Sequence, residues 1–181
     1  LVNLDDISNI NLYTELTHFD AFGNKISTIP NLENNKKLIS LGLSNNLISE
    51  VSGIEALPNL THLYLGQNQI GNLSSALFKS LPQLTHLYLY KNKLTDLDFL
   101  ENNKSIKELY VSDNQINKVS NFNDLNYLVL LDITYNPITI VLQQEYVQSK
   151  SAVKIRWQLR KEPISFASFL IKEKKKKKES F

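Results

Sequence analysis

The chain has no cysteine and no methionine among 181 residues, and only five glycines and five prolines. Without cysteine there are no disulfide-stapled ends of the kind common in secreted proteins, which argues for a reducing compartment. So few glycines leave no Gly-rich loop to cradle a phosphate, and neither an HExxH motif nor a nucleophile elbow occurs. No stretch approaches the roughly 18 apolar residues of a membrane span, and no signal peptide is visible. Formal net charge is +2, too small to imply a strong bias towards nucleic acid. These absences remove most catalytic, cofactor-binding and membrane classes and leave a single elongated domain with a tail.

What is abundant is asparagine, and six of its copies fall at regular spacing. Asn24, Asn46, Asn68, Asn92, Asn114 and Asn136 are separated by 22, 22, 24, 22 and 22 residues. Each closes the frame LxxLxLxxNxL, with Ile, Val, Phe or Ala substituting for Leu. The frames run Leu16–Ile26, Leu38–Ile48, Leu60–Ile70, Leu84–Leu94, Ile106–Ile116 and Leu128–Ile138. A fixed period of this length with this frame is the leucine-rich repeat signature. It implies an α/β solenoid, a right-handed superhelix with a parallel concave sheet and a 3-10 or extended convex face. Within each frame the LxL core is a short strand with alternate side chains inward. The turn that follows would strand backbone donors and acceptors inside. An Asn amide, which both donates and accepts, can satisfy them and bridge adjacent coils.

The return legs have a period of three: Ile48, Val51, Ile54, Leu57 and then Leu60; Leu94, Leu97, Leu100, Asn103 and then Ile106; Ile116, Val119, Phe122, Leu125 and then Leu128. That period suits 3-10 or extended turns rather than an α-helix. Leu4, Ile7, Ile10 and Tyr13 fit the same positions, so the chain is expected to begin inside a partial seventh repeat. The 24-residue unit carries two extra residues in Gly71–Gln83, where a short helix through Ser75–Ser80 is expected as a tolerated insertion. After Asn136-Pro137-Ile138, Ile140–Ser149 looks helical. Val153–Leu159 alternates like a last edge strand, with Val153 and Ile155 lying 22 residues beyond Leu131 and Ile133. The repeat domain is therefore expected over 1–160 and a basic, disordered tail over 161–181. Its run Lys172–Phe181 is either a solvated linker or a patch for nuclear import, nucleic acid, acidic protein or tubulin.

Counting outward from each Asn gives the residues of the concave face. Position three reads His18, Ser40, His62, His86, Glu108, Leu130. Position five reads Asp20, Gly42, Tyr64, Tyr88, Tyr110, Asp132. Position seven reads Phe22, Ser44, Gly66, Tyr90, Ser112, Thr134, and position eight Gly23, Asn45, Gln67, Lys91, Asp113, Tyr135. Tyr64, Tyr88 and Tyr110, with Tyr90, His62 and His86 beside them, make an aromatic centre. Phe22, Asp20, Lys91, Glu108 and Asp132 surround it with a partly charged rim, and this is the anatomy of a protein interface. Cross-strand aromatic pairing for stability would use the same residues. The His column, interrupted by Ser40 and lacking cysteine, does not form a metal set. No cofactor is expected.

The segment ISEVSGIEALPNLTHLYL (Ile48–Leu65), with Gly53 in the turn before Ile54, resembles the 22-residue intracellular subfamily of leucine-rich repeats. That subfamily is typified by a phosphatase regulatory subunit, an axonemal dynein light chain and the spliceosomal A-prime protein. The Asn136-Pro137-Ile138 ending is similar to its C-terminal cap, without the usual Tyr-Arg and Leu-Pro landmarks. Bacterial invasion proteins also use 22-residue units, but their convex legs usually carry Asp-Ile-Ser-Pro, which this chain lacks. The resemblance implies a non-catalytic scaffold that grips a protein partner in its concave face, in the cytoplasm and commonly in a cilium or axoneme. The alternative is a nuclear ribonucleoprotein or phosphatase-regulatory subunit that uses its basic tail.

Overall fold

A computed structural model describes residues 4–102, 104–119, 127–138, 140–141 and 154–156. Each frame contributes a three-residue strand: β1 (His18–Asp20), β2 (Ser40–Gly42), β3 (His62–Tyr64), β4 (His86–Tyr88) and β5 (Glu108–Tyr110). A two-residue strand β6 (Lys118–Val119) follows, then β7 (Leu130–Asp132), β8 (Ile140–Val141) and β9 (Lys154–Arg156). The main sheet has the order β1-β2-β3-β4-β5-β7-β9, and every pairing in it is parallel. β6 and β8 pair separately on the return legs. The expected leucine-rich repeat solenoid is therefore the fold.

Its core follows from the frame. Leu41 and Leu43, Leu63 and Leu65, Leu87 and Leu89, Leu109 and Val111 are all fully buried, one pair per coil. One strand is too short to be stable alone, and stacking removes these side chains from water in one continuous cluster. The return legs advance by i to i−3 bonds. Leu57 donates to Ile54 and Leu60 to Leu57, each at 3.2 Å, and Leu100 donates to Leu97 at 3.0 Å. These bonds give the period of three a backbone cause.

The 24-residue unit holds the α-helix α1 (Ser75–Lys79), capped by the Ser74 hydroxyl accepting from Ala76 N–H at 3.2 Å. Leu77 and Phe78 bury its inner face, and Phe78 meets Phe99 of the 3-10 turn Asp98–Asn102 at 5.0 Å between ring centroids. The extra residues thus add core rather than a loose loop.

Three expectations need correction. Of the first period-three set, Ile7 and Ile10 are buried, but Leu4 and Tyr13 are 40% and 64% exposed. Leu4 serves through its backbone instead, donating to Asn24 Oδ1 at 2.9 Å and accepting from Lys25 N–H at 2.8 Å. Ile140 and Val141 do not begin a helix: they pair with Lys118 and Val119, while residues 142–149 lie outside the described set. The last strand is present but shifted, because Leu131 pairs with Ile155 rather than Val153. The step is again 24 residues. Phe122, Leu125, Asn103 and the tail 161–181 lie outside the described residues.

The Asn ladder has its full set of bonds from Asn46 to Asn136, while Asn24 donates only within its own coil. Asn92 Oδ1 accepts from Ile70 N–H at 3.0 Å, and its Nδ2 donates to Leu65 O at 2.9 Å and Leu89 O at 3.1 Å. Asn46, Asn68, Asn114 and Asn136 repeat the set, each reaching back to the preceding coil. Asn92→Ala removes three buried bonds and leaves Ile70 N–H unpaired. It should lower unfolding free energy by about 1–3 kcal/mol, measured by denaturant unfolding, with Asn92→Asp less damaging than Asn92→Leu.

Candidate functional site

The outward residues of the sheet form columns because parallel strands are in register. His18, Ser40, His62, His86, Glu108 and Leu130 align in one column. Asp20, Gly42, Tyr64, Tyr88, Tyr110 and Asp132 align in the next. Strand spacing of about 4.8 Å is close to a stacking distance, so equal residues in successive repeats place rings on one another. Tyr64 and Tyr88 stack at 4.5 Å between centroids with planes 15° apart, and Tyr88 and Tyr110 at 4.6 Å and 8°. His62 and His86 stack at 4.1 Å and 7°. The two imidazoles are therefore face to face rather than hydrogen-bonded to each other. Among the described residues no His and carboxylate group is arranged to hold a metal.

Thr17, Thr61 and Thr85, at position two, orient the histidines that follow them. Thr61 Oγ1 lies 2.7 Å from His62 Nδ1, and Thr85 Oγ1 lies 2.8 Å from His86 Nδ1. Each hydroxyl also donates to the carbonyl of the preceding repeat, Thr61 to Ile39 and Thr85 to Thr61. A hydroxyl has one proton, so with that proton on a carbonyl the oxygen accepts from the ring's Nδ1–H. The recurring Thr-His dipeptide was the available signal.

The remaining candidates occupy distinct places. Glu108 accepts from Tyr110 OH at 3.0 Å and stands 3.8 Å from His86 Nε2. Asp20 Oδ1 accepts from Phe22 N–H at 3.0 Å, and Phe22 itself is 58% exposed. Asp132 accepts from the Thr134 hydroxyl at 2.8 Å, and the register sets Arg156 on the neighbouring strand. Tyr90 leans across Gly66, where even a Cβ would collide with its ring. Lys91 sits in the turn with φ of 53°. Its whole column is left-handed: Gly23, Asn45, Gln67, Lys91, Asp113 and Tyr135 have φ between 53° and 73°. Position eight thus belongs to the turn as well as to the face, and only Gly23, Asn45 and Asp113 are residue types that favour it.

Burial and stacking shift two titrations. Burial, then His86 and more weakly His18, hold the His62 pKa below its ordinary 6.5, while Glu108 pulls the other way. Burial, with Tyr64, Tyr110 and Glu108 adding to it, pushes the Tyr88 phenol up to about 12. In the acid range the unfolded chain binds more protons at His62, so stability is full above about 6.5 and falls as pH drops below it. Thermal unfolding between pH 8 and 5 should show this fall, and His62→Gln should flatten it. In the alkaline range the folded chain keeps the Tyr88 proton longer. Stability is therefore full below the ordinary tyrosine pKa of 10.0 and is lost as pH rises towards about 12. Phenolate absorbance should show a late titration that disappears in Tyr88→Phe.

Residues 58–116 match the leucine rich repeat family. No curated protein matches the chain's sequence. Among solved structures, an internalin (inlF) from Listeria monocytogenes is similar, with 28% identity and a TM-score of 0.69 over 87% of this chain and 45% of its own. The functional domain of InlJ from Listeria monocytogenes, which includes a cysteine ladder, has 25% identity and a TM-score of 0.71, over 89% of this chain and 34% of its own. The chain thus spans less than half the length of either. Where that domain carries a cysteine ladder, this chain has no cysteine and a ladder of asparagines. Among the described residues no helix is long and apolar enough to cross a membrane. The matched repeats lie within a solenoid of the same fold as these leucine-rich repeat structures.

Proposed function

We propose that the chain is a non-catalytic scaffold that binds a partner protein on the outward, concave face of its main sheet. The observation that carries this is the three-ring stack Tyr64–Tyr88–Tyr110 beside the pair His62–His86. Stacking alone would hold these rings whether or not anything binds. Their partial exposure at the centre of a face rimmed by Asp20, Phe22, Lys91, Glu108 and Asp132 favours recognition. Tyrosine supplies broad, rigid contact area with a polar tip, the usual chemistry of an interface anchor. Leucine-rich repeat proteins generally bind other proteins, and the fold is typically non-catalytic.

The finer assignment rests on the resemblance of Ile48–Leu65 to the intracellular 22-residue subfamily. We place the chain with that subfamily, as a cytoplasmic subunit of a larger assembly of the ciliary or axonemal kind. The nuclear ribonucleoprotein alternative rests on Lys172–Lys178, outside the described residues. Tyr88→Ala combined with Tyr110→Ala should abolish partner recovery in affinity capture with mass spectrometry. Unfolding should stay cooperative, weakened only by the lost stacking contacts, on the order of 0.5–1.5 kcal/mol each. Retention of the same partners by the double variant would sink the concave-face assignment.

A further inference from the structure

The row His62–His86–Glu108 crosses the centre of the outward face, one residue on each of β3, β4 and β5. Its imidazoles lie face to face, centroids 4.1 Å apart and planes 7° apart. Each meets a threonine hydroxyl at Nδ1, His62 at 2.7 Å and His86 at 2.8 Å. His86 Nε2 stands 3.8 Å from Glu108 Oε1, and Glu108 Oε2 accepts from Tyr110 OH at 3.0 Å. A protonated His86 thus has a carboxylate on the side of its Nε2–H and a hydroxyl oxygen for its Nδ1–H. Among the described residues His62 makes no ion pair.

The charges around the row answer one proton and not two. β2, on the other side of His62, brings Ser40 and Gly42, neither of them charged. β1, one strand farther, brings His18 and Asp20, and Asp20 Oδ1 is occupied by its own Phe22 N–H. The tyrosine column alongside is uncharged near neutral pH, and Lys107, next to Glu108, is exposed. Burial, then His86, hold the His62 pKa below its ordinary 6.5. Two imidazolium faces 4.1 Å apart repel each other, so the pair takes up protons in turn rather than together. The first belongs on His86, beside Glu108.

Docking gives that proton a consequence. The His86 and Glu108 side chains are 25% and 33% exposed, so both still touch water. A partner laid over the row removes that water. A carboxylate buried without a counter-charge is unfavourable, whereas an ion pair strengthens as its surroundings dry. We propose that the row is a one-proton switch: docking of the partner fixes a proton on His86, paired with Glu108, while the stacked His62 stays neutral. This rests on the concave-face assignment and adds its regulation. Binding takes up one proton, so it strengthens as pH falls from 8 towards 6, by at most about tenfold per pH unit. His62 sets the limit, because a second proton would have to enter the stack.

The imidazole nitrogens of the full isotope-labelled chain, followed by NMR from pH 8 to 5, report on the row without a partner. Imidazolium should appear first on His86, with His62 charging at lower pH. In His86→Gln, His62 should charge at higher pH than in the wild type, because the repelling neighbour is gone. Simultaneous charging of the two rings, or charging of His62 first, would overturn the switch. Affinity capture at pH 6, 7 and 8, with unfolding temperatures confirming an intact fold at each, reports on docking. The wild type should recover several-fold more partner at pH 6 than at pH 8. Glu108→Gln should reverse that gain, since drying alone disfavours a charged ring, and His86→Gln should be level across the range. A gain that survives Glu108→Gln, or a wild type without pH dependence, would overturn the proposal. The concave-face assignment is tested separately by the Tyr88 and Tyr110 double variant, which leaves the row in place. Loss of partner in that variant with a flat response of the wild type would leave the scaffold standing and remove only the switch. Retention of partner by that variant would remove the face, and the docking half of the switch with it.

Discussion

The solenoid depends on an amide that faces two coils at once. From Asn46 to Asn136 each ladder Asn accepts from a backbone N–H of the preceding coil and donates to carbonyls of both coils, with all three bonds near 3.0 Å for Asn68. Strands of three residues cannot satisfy the turn that follows them, and that turn is buried. A carboxylate would lack the donor and a leucine would lack everything, so the position tolerates only an amide of this length. Asn35 shows the donor half of this chemistry used once, its Oδ1 buried without a partner. Fully buried, it donates to Ile10 O at 2.9 Å and Tyr13 O at 3.0 Å at the end of the 3-10 turn Ser8–Leu12.

Satisfying the turn this way imposes a strained backbone just before it. Five non-glycine residues adopt left-handed φ immediately ahead of the ladder, a conformation that costs roughly 1–2 kcal/mol for an ordinary L-residue. The three buried bonds of the following Asn offset that cost. The price appears as freedom in sequence: Gln67, Lys91, Asp113 and Tyr135 share one conformation while differing in chemistry. A column whose backbone is fixed by its neighbour can vary its side chains for recognition.

The outward face follows from the same regularity. Stacked repeats convert a recurring Tyr into a column of rings and a recurring Thr-His into oriented imidazoles. Where the recurrence fails, at Gly42 and Gly66, a neighbour leans into the gap: Asp20 over the first, Tyr90 over the second. Departures from the repeat thus shape the surface as much as the repeat does.

The strands, their register up to β7, the buried Leu pairs and the ring stack were all legible in the chain, because a parallel array with a fixed step maps sequence offset directly onto spatial adjacency. Legibility ended where the step was not fixed. The shift from Val153 to Ile155 depends on how the segment before β9 folds, and Ile140–Val141 became a strand because Lys118–Val119 offered a partner. The left-handed column, the tautomer set by Thr61 and Thr85, and the lean of Asp20 over Gly42 are consequences of contacts between coils. By itself the sequence determined the repeat, its core and which residues share a face, since these depend only on period and polarity. Only the tertiary structure decided how those residues meet, since a ring's stacking partner or an opening beside it depends on what the adjacent coil leaves uncovered.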